Sequence, residues 1–391
     1  MTYQHNSTLP QDLLEQIAEQ GFDYLPELIQ TIVNAAMIVE RQKYLGVEPY
    51  ERSSERRDQA NGFKPKTVKT RVGDIQFAIP QVRGGNFYPQ AMEKGMRSER
   101  ALMVSLAEMY VQGVSTRKVS AIVEKMIGSS VSSAQVSKAA AQMDEILTQW
   151  RNRDLGEVRY LYLDARYEKV RMDGQVRDAA VLVALGVGPD GRRRVLGVSI
   201  ALGEQEIHWR AFMESLVNRG LRGIELIISD DHAGLRAARR AVFGGIPWQR
   251  CQFHLQQNAQ GYVPRKEMQH EVAEDIRTIF NAPHRAAAER YLAEMIQKYE
   301  QSASQLASWM EENIPEGLTF FSFPSTHRRK LRTSNGIERL NREIKRRTRV
   351  VGVFPSEVSC LRLISAVLME TSDEWEASNH PYLSFKGEKE T

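Results

Sequence analysis

Between residues 157 and 251 the chain alternates in an order that few folds accommodate. "VRYLYLDARYEKVRM", "DAAVLVALGV" and "RRRVLGVSIAL" each read as an apolar-rich strand, and only the turn-like "DGQ" and "PDGR" separate them. An amphipathic helix over 207–218, with Trp209, Phe212 and Leu216 on its core face, precedes a strand "IELIIS", a helix "AGLRAARRAV" and a short strand through "PWQRC". Three strands, helix, strand, helix, strand is not a dinucleotide-binding pattern. The first three strands lack helical crossovers, and no glycine-rich phosphate loop is present.

Two acids sit within this region where strands deliver their last side chains: Asp164 in "YLYLDARY" and Asp230 after "LIIS". An acid at the end of an apolar strand is costly to hold unless a cation or hydrogen bonds compensate it, which makes each a candidate ligand. Asp230, followed by Asp231 and His232, also fits the cap of the next helix. Of the two adjacent aspartates, Asp230 is preferred because it is nearer the strand. His232 is a candidate supporting group or proton shuttle, and equally a helix-start residue.

A third acid stands alone in a basic setting. In "SNGIERLNREIKRRTRV", Ile337, Leu340 and Ile344 fall on one helical face and Glu338, Arg342, Lys345 and Arg349 on a neighbouring stripe. Between Arg328 and Arg349 ten Lys or Arg face two carboxylates, an excess that suits a polyanion. The competing reading is a solvated helix with a Glu338–Arg342 pair. Two strand aspartates and a helix glutamate would gather three carboxylates around a pair of Mg²⁺ ions. Such a pair stabilises both the attacking and the leaving oxygen of a phosphoryl displacement.

The flanking regions differ in texture. Residues 9–45 read as helical, with breaks near Gly21 and Pro26. "NGFKPKTVKTRVGDIQFAIPQVRGGNFYP" reads as a hairpin whose Lys64, Lys66, Lys69, Arg71 and Arg83 form a basic rim, suited to phosphates or simply to solvent. "GVSTRKVSAIVEKMIGSSVSSAQVSKAAAQM" has a helix-turn-helix texture. Its first helix, from Thr116, turns Val119, Ile122 and Val123 inward; Ser132 caps the second, which carries Ser133, Gln135 and Lys138 outward. Small polar side chains opening a second helix suit base edges and phosphates, with Arg117 and Lys118 as further DNA-contact candidates. Residues 256–325 are helical and broken by prolines, and a helix over 356–370 precedes a polar tail.

Taken in order, "YLYLDARYEKVR", "GLRGIELIISDDHAGLRAA", "WQRCQFHLQQNA" and "TSNGIERLNREIKRRTRVVGVFPS" resemble the Mutator-type transposases of bacterial insertion sequences, within the DDE superfamily. The resemblance spans nearly the whole chain. It implies an α/β fold with a ribonuclease H-like mixed-sheet catalytic core and a helical insertion, preceded by helical and helix-turn-helix DNA-binding segments. The expected boundaries are 1–50 for the helical module, 51–99 for the hairpin, 100–156 for the helix-turn-helix region, 157–255 for the first part of the core, 256–325 for the insertion and 326–391 for completion of the core.

Carried over by position, the family's acidic triad falls on Asp164, Asp230 and Glu338, spaced by 66 residues (230 minus 164) and 108 (338 minus 230). Lys345, seven positions after the glutamate, matches a basic position of the pattern, and Arg342 and Arg346 beside it are further DNA-contact candidates. The C-x-x-H signature falls on Cys251 and His254, which implies support of the active site; with only two ligands in view, half of a zinc site is the lesser reading. The block often continues with arginine, where this chain has Gln257.

The implied activity is Mg²⁺-dependent cleavage of DNA, with Mn²⁺ able to substitute, followed by strand transfer. The implied partners are terminal inverted repeats, target DNA and a second copy or larger synaptic assembly. A nuclease of the same fold, or a non-catalytic DNA-binding regulator, are the rivals. The formal charge of +4 is modest, so a nucleic-acid surface must come from clustering. Two cysteines make no disulfide framework, no leader pattern is evident, and no apolar run reaches the roughly 20 residues of a membrane helix, so a reducing, cytoplasmic setting is expected; the resemblance implies a bacterial protein, nucleoid-associated when bound to DNA.

Overall fold

The computed structural model describes residues 11–47, 51, 53–95 and 97–385; the N-terminal stretch in which no leader pattern is evident lies outside the described residues. Two compact units form, Met1–Gln142 and Met143–Thr391. No helix among the described residues is long and apolar enough to cross a membrane.

In the first unit, α1 (Gln11–Gln20) and α2 (Leu25–Leu45) are separated by a single 3₁₀ turn beginning at Gly21, whose φ of 61° suits glycine. A hairpin of β1 (Ala60–Thr70) and β2 (Gly73–Val82) turns one face inward. Val68, Ile75, Phe77 and Ile79 close on Met37 of α2 and on Met92; Lys64 and Lys66 continue the same face of β1 opposite Ile79 and Phe77, whereas Lys69, opposite Asp74, lies on the other. Then come α3 (Arg100–Val111), α4 (Thr116–Ile127) and α5 (Ser133–Ala141). Val119 and Val123 are buried as expected, but Ile122 is exposed, lying about a quarter of a turn off their line. Ser132 and Gln135 form a reciprocal capping box at the start of α5, which commits the Gln135 amide oxygen to the helix end.

The second unit opens with α6 (Asp144–Arg151) and is built on a mixed sheet of β3 (Tyr160–Met172), β4 (Gln175–Val187), β5 (Arg193–Ala201), β6 (Leu226–Ser229) and β7 (Trp248–Arg250), with α7 (Glu206–Asn218) and α8 (Ala233–Phe243) between strands. Strand order is β5-β4-β3-β6-β7; the first three are antiparallel neighbours, and β6 and β7 run parallel to β3. The β3–β4 turn is Asp173–Gly174, both at positive φ, the two-residue geometry that matches strand twist. After β7 come α9 (Gln252–Ala259), α10 (Gln269–Phe280), α11 (Arg285–Tyr299), α12 (Ser304–Asn313), α13 (Ser325–Leu331), α14 (Asn335–Thr348) and α15 (Glu357–Ala377).

Strand alternation divides the core in two. Leu161, Leu163 and Ile227 face Trp209, Phe212 and Leu216 of α7 and Leu235 of α8. Tyr160, Tyr162, Leu226 and Ile228 face the helical layer of α9–α12, together with Leu331 of α13 and Ile337 of α14. The two tyrosine hydroxyls anchor α13 to the sheet: Tyr160 Oη meets His327 Nδ1 at 2.9 Å and Tyr162 Oη donates to Lys330 O at 3.1 Å.

One expectation is corrected. Asp164 is not the last residue of its strand, because β3 continues to Met172 paired with β4 throughout. It is the pairing with β6 that ends near it, at Tyr162. Beyond that point β3 acquires a different neighbour: Phe354 N donates to Lys169 O at 2.8 Å and Arg171 N donates to Phe354 O at 2.9 Å.

Candidate active site

The parallel register pairs Tyr160 with Leu226, Leu161 with Ile227 and Tyr162 with Ile228. The offset is 66 residues (226 minus 160), the same as between the two aspartates. Two residues further along, Asp164 is therefore level with Asp230, with the same alternation as the side chains that face the helical layer. The neighbouring Asp231 has a different occupation. Its carboxylate takes Arg236 Nη1 at 3.1 Å and Arg250 Nη1 at 3.2 Å, and Arg250 is further held by Asn313 and Glu316. Asp230 has no hydrogen-bond or ion-pair partner for its carboxylate among the described residues. This separates a structural aspartate from an available one.

Asp164 is nearly buried. Its Oδ1 accepts from Ala165 N and its Oδ2 from Asn341 Nδ2, both at 2.9 Å. Burial, reinforced by the charge of Asp230, raises its pKa to about 7, although His254 and the Ala165 amide pull the other way. Asn341 lies on α14 one turn after Glu338, so the helix that carries the glutamate is fastened directly to the strand that carries the aspartate. The remaining oxygen of the Asn341 side chain is buried and without a partner.

Glu338 is half-buried at the start of α14. It makes no pair with Arg342; its carboxylate instead takes a 3.4 Å hydrogen bond from Ser334 Oγ. The same hydroxyl and the Ser334 amide both point at Cys251 Sγ, each at 3.4 Å, and one hydroxyl proton serves only one acceptor at a time. Cys251 is fully buried at the end of β7, where its amide donates to Ser229 O, the residue before Asp230, at 2.7 Å. Burial alone would push its thiol pKa up, but hydrogen bonding to His254 and Ser334 outweighs it and lowers the value. The Cys251 sulfur in turn raises His254 to about 9 against desolvation, helped by Asp230 and Asp164. The C-x-x-H pair thus sets a cationic imidazole beside the two aspartates.

A further carboxylate completes the surroundings. Glu204, between β5 and α7, sits 3.9 Å from His232 Nδ1 and is raised by burial; His232 opposes the shift and Asp230 adds to it. The approach depends on Gly234, since a Cβ there would lie 2.0 Å from Glu204 O. Among the described residues, however, no three Asp, Glu, His or Cys side chains stand close enough together to hold a metal ion.

The basic residues separate into two kinds. Arg342 and Lys345 are exposed on α14. Arg346, also exposed, is paired with Glu343 at 3.1 Å. Arg328, Arg332 and Arg347 are structural: Arg328 binds the carbonyls of Phe321 and Phe323, Arg332 binds Gln252 and Asn281, and Arg347 meets Glu370. In the first unit Arg117, Lys118, Ser133 and Lys138 are exposed and Gln135 is half-buried. Sequence reasoning passed over Asn341 and Glu204. Asn341 carried a usable signal, an amide one helical turn from Glu338; Glu204 looked like an ordinary acid before a helix.

Residues 1–378 match the model of the transposase family described as "Transposase, Mutator family". The chain belongs to the Mutator family of transposases. It is 55% identical over 371 residues to the transposase for insertion sequence element IS406 of Burkholderia multivorans, covering 94% of this chain and 95% of that relative. It is 37% identical over 384 residues to the transposase for insertion sequence element IS256 in transposon Tn4001 of Staphylococcus aureus, covering 97% and 98%. Among solved structures, a Drosophila P element transposase strand transfer complex aligns with a TM-score of 0.31 and 10% identity over 77% of this chain and 84% of that one, a likeness too weak to build on.

Proposed function

We propose that this Mutator-family chain is an insertion-sequence transposase that binds terminal inverted repeats and performs metal-dependent DNA cleavage and strand transfer at Asp164, Asp230 and Glu338. The sheet is read as the ribonuclease H-like core of such an enzyme, and α4 with α5 as a helix-turn-helix for DNA ends. The observation that carries the reading is the shared 66-residue offset, by which the β3–β6 register, continued two residues, leads to a buried aspartate on β3 and an unpartnered one just past β6.

The donor set suits Mg²⁺ or Mn²⁺. Asp164 and Asp230 offer hard oxygens, and the raised pKa of Asp164 reflects burial beside another negative charge with too little compensation. Divalent ions bound there would supply an activated water or 3′-hydroxyl and neutralise charge at the phosphate under attack. In this scheme Asn341 orients the inner oxygen of Asp164. Glu338 joins the two aspartates by leaving Ser334, whose hydroxyl has Cys251 as its alternative acceptor. Arg342 and Lys345, exposed on the same helix, hold the phosphodiester backbone, and His254 sets a positive charge beside the aspartates. Two DNA ends need two copies of the chain or a larger assembly.

The test uses duplex oligonucleotides bearing the terminal repeats, both intact and pre-cleaved, with Mg²⁺ or Mn²⁺. Wild type should cleave and join. Glu338→Gln should bind ends normally yet lose activity beyond the roughly 10–100-fold caused by removing an outer partner of a metal ligand. Cleavage without joining, even of pre-cleaved ends, would identify a nuclease; binding without either reaction would identify a regulator. Equal activity in the two proteins would remove Glu338 from the site.

A further inference from the structure

The first unit holds a second charged feature, away from the exposed face of α5. A groove of about 960 Å³ opens between β1, the segment that follows β2, and the first turn of α5. Lys64, Lys66, Lys69, Lys94 and Arg97 line it together with Gln135, and no carboxylate lines it among the described residues. Clefts for small ligands reach about this size but are mainly apolar, with a few placed polar groups. Five converging cations describe a different occupant. Like charges gathered with no acid in the lining repel one another until a polyanion enters.

The cations divide by their attachments. Lys69 Nζ donates to Ser130 O at 2.7 Å and Ser129 Oγ at 3.3 Å, with Asp74 at 3.4 Å behind it; this fastens the hairpin to the α4–α5 turn. Lys66 Nζ donates to Tyr88 Oη at 2.9 Å and Glu93 O at 3.2 Å, which fixes the groove wall. The side chains of Lys64, Lys94 and Arg97 have no hydrogen-bond or ion-pair partner among the described residues, and all three residues are exposed. The hairpin rim is therefore not the surface the sequence outlined: Arg71 is paired with Glu99 at 2.7 Å, whereas Lys94 and Arg97 arrive from beyond the hairpin.

We infer that this groove is a second DNA-contact site, which grips the phosphodiester backbone beside the segment read by α5, so that each terminal repeat is bound in two places by one unit. The choice of DNA among polyanions rests on the proposed transposase reading. The mode of contact rests on the lining. Tyr88 is already engaged with Lys66, and Phe87 packs on Tyr44 at 5.2 Å between ring centroids, so the aromatic groups brace the wall rather than stack on bases. Contacts made by lysine and arginine to phosphates position a protein without reading sequence. Gln135 lies at the junction, lining the groove while it caps α5.

The experiment titrates the full chain with a terminal-repeat duplex and a scrambled duplex of equal length across a salt series, followed by fluorescence anisotropy. The triple variant Lys64→Ala, Lys94→Ala, Arg97→Ala should bind both duplexes roughly 10–100-fold more weakly at physiological salt, with a log–log salt slope shallower by about 2.7. Its preference for the terminal repeat should be unchanged. The charge-conserving triple Lys64→Arg, Lys94→Arg, Arg97→Lys should bind as wild type, and the single Lys94→Glu variant, at an exposed side chain, should show a smaller loss of the same kind. Wild-type affinity and slope in the alanine triple would overturn the groove, as would an equal loss in the charge-conserving triple. Lys138→Ala on α5 is the internal comparison. If wild type lacks any preference for terminal repeats, the end-recognition reading fails while the alanine triple still judges the groove. If wild type binds no duplex, both fail.

Discussion

Replacing Asp164 by asparagine should make the protein more stable and inactive at once. Asp164 has a folded pKa of about 7 against an ordinary 3.8. A difference of about three units corresponds to about 4 kcal/mol between protonation states. The folded chain holds this proton more tightly than the unfolded chain, so the associated stability is complete below the ordinary value and is lost as pH rises to about 7. Asparagine carries no charge and escapes the loss. Its amide can also keep both hydrogen bonds: the oxygen accepts from Ala165, and if Asn341 turns over, the new NH₂ group donates to the Asn341 oxygen that has no partner. Relaxation and water penetration reduce the full figure, leaving roughly 1–3 kcal/mol.

Thermal unfolding of the full chain without divalent ions measures this directly. A unit of this size shifts by about 2–4 °C per kcal/mol, so Asp164→Asn should melt about 2–12 °C above wild type near pH 8. Near pH 4 the two should nearly coincide, because wild-type Asp164 is then protonated as well. Added Mg²⁺ should narrow the gap by stabilising wild type alone. A variant that melts at or below wild type at the higher pH, or one that gains equally at every pH, would refute the assignment of a strained carboxylate at this position.

Two other changes separate the site's parts. Asn341→Leu removes the donor to Asp164 and should slow cleavage roughly 10–100-fold and raise the Mg²⁺ concentration needed, with end binding intact; an unchanged metal requirement would confine Asn341 to packing. Cys251→Ala deprives the Ser334 amide of its acceptor and should cost about 1–3 kcal/mol in an unfolding experiment, whereas Cys251→Ser keeps an acceptor and should cost less. Equal losses would place the cost in packing volume rather than in hydrogen bonding.

The sheet was legible because its signals are local. Apolar runs of strand length, the Asp-Gly turn and the missing crossovers each follow from short-range rules, and β3 to β7 appear where those rules put them. The choice between Asp230 and Asp231 was only partly legible. Proximity to the strand favours Asp230, and the structure adds what no local rule gives: Arg250 arrives from another strand and occupies Asp231. The basic run before and along α14 misled for the same reason. Counting cations from 328 to 349 cannot tell Arg347, buried against Glu370, from Lys345 in solvent. Asn341 was overlooked because its partner lies 177 residues away and only the packing of α14 on β3 brings them together.

That packing has a consequence for how the chain tolerates change in length. Along β3, Asp164 is tied to Asn341, Glu168 to Thr348 and Lys169 to Phe354, so α14 and the segment after it are read off against the strand like marks on a ruler. One residue inserted between Asn341 and Thr348 would turn the start of the helix, and Glu338 with it, by about 100° relative to its end. The stretch from α10 to α12, residues 269–313, faces no such constraint, because these helices pack largely on one another and on the sheet's apolar face. Added or deleted residues are therefore easier to absorb at the turns of that helical layer than anywhere in the interval from Asn341 to Phe354.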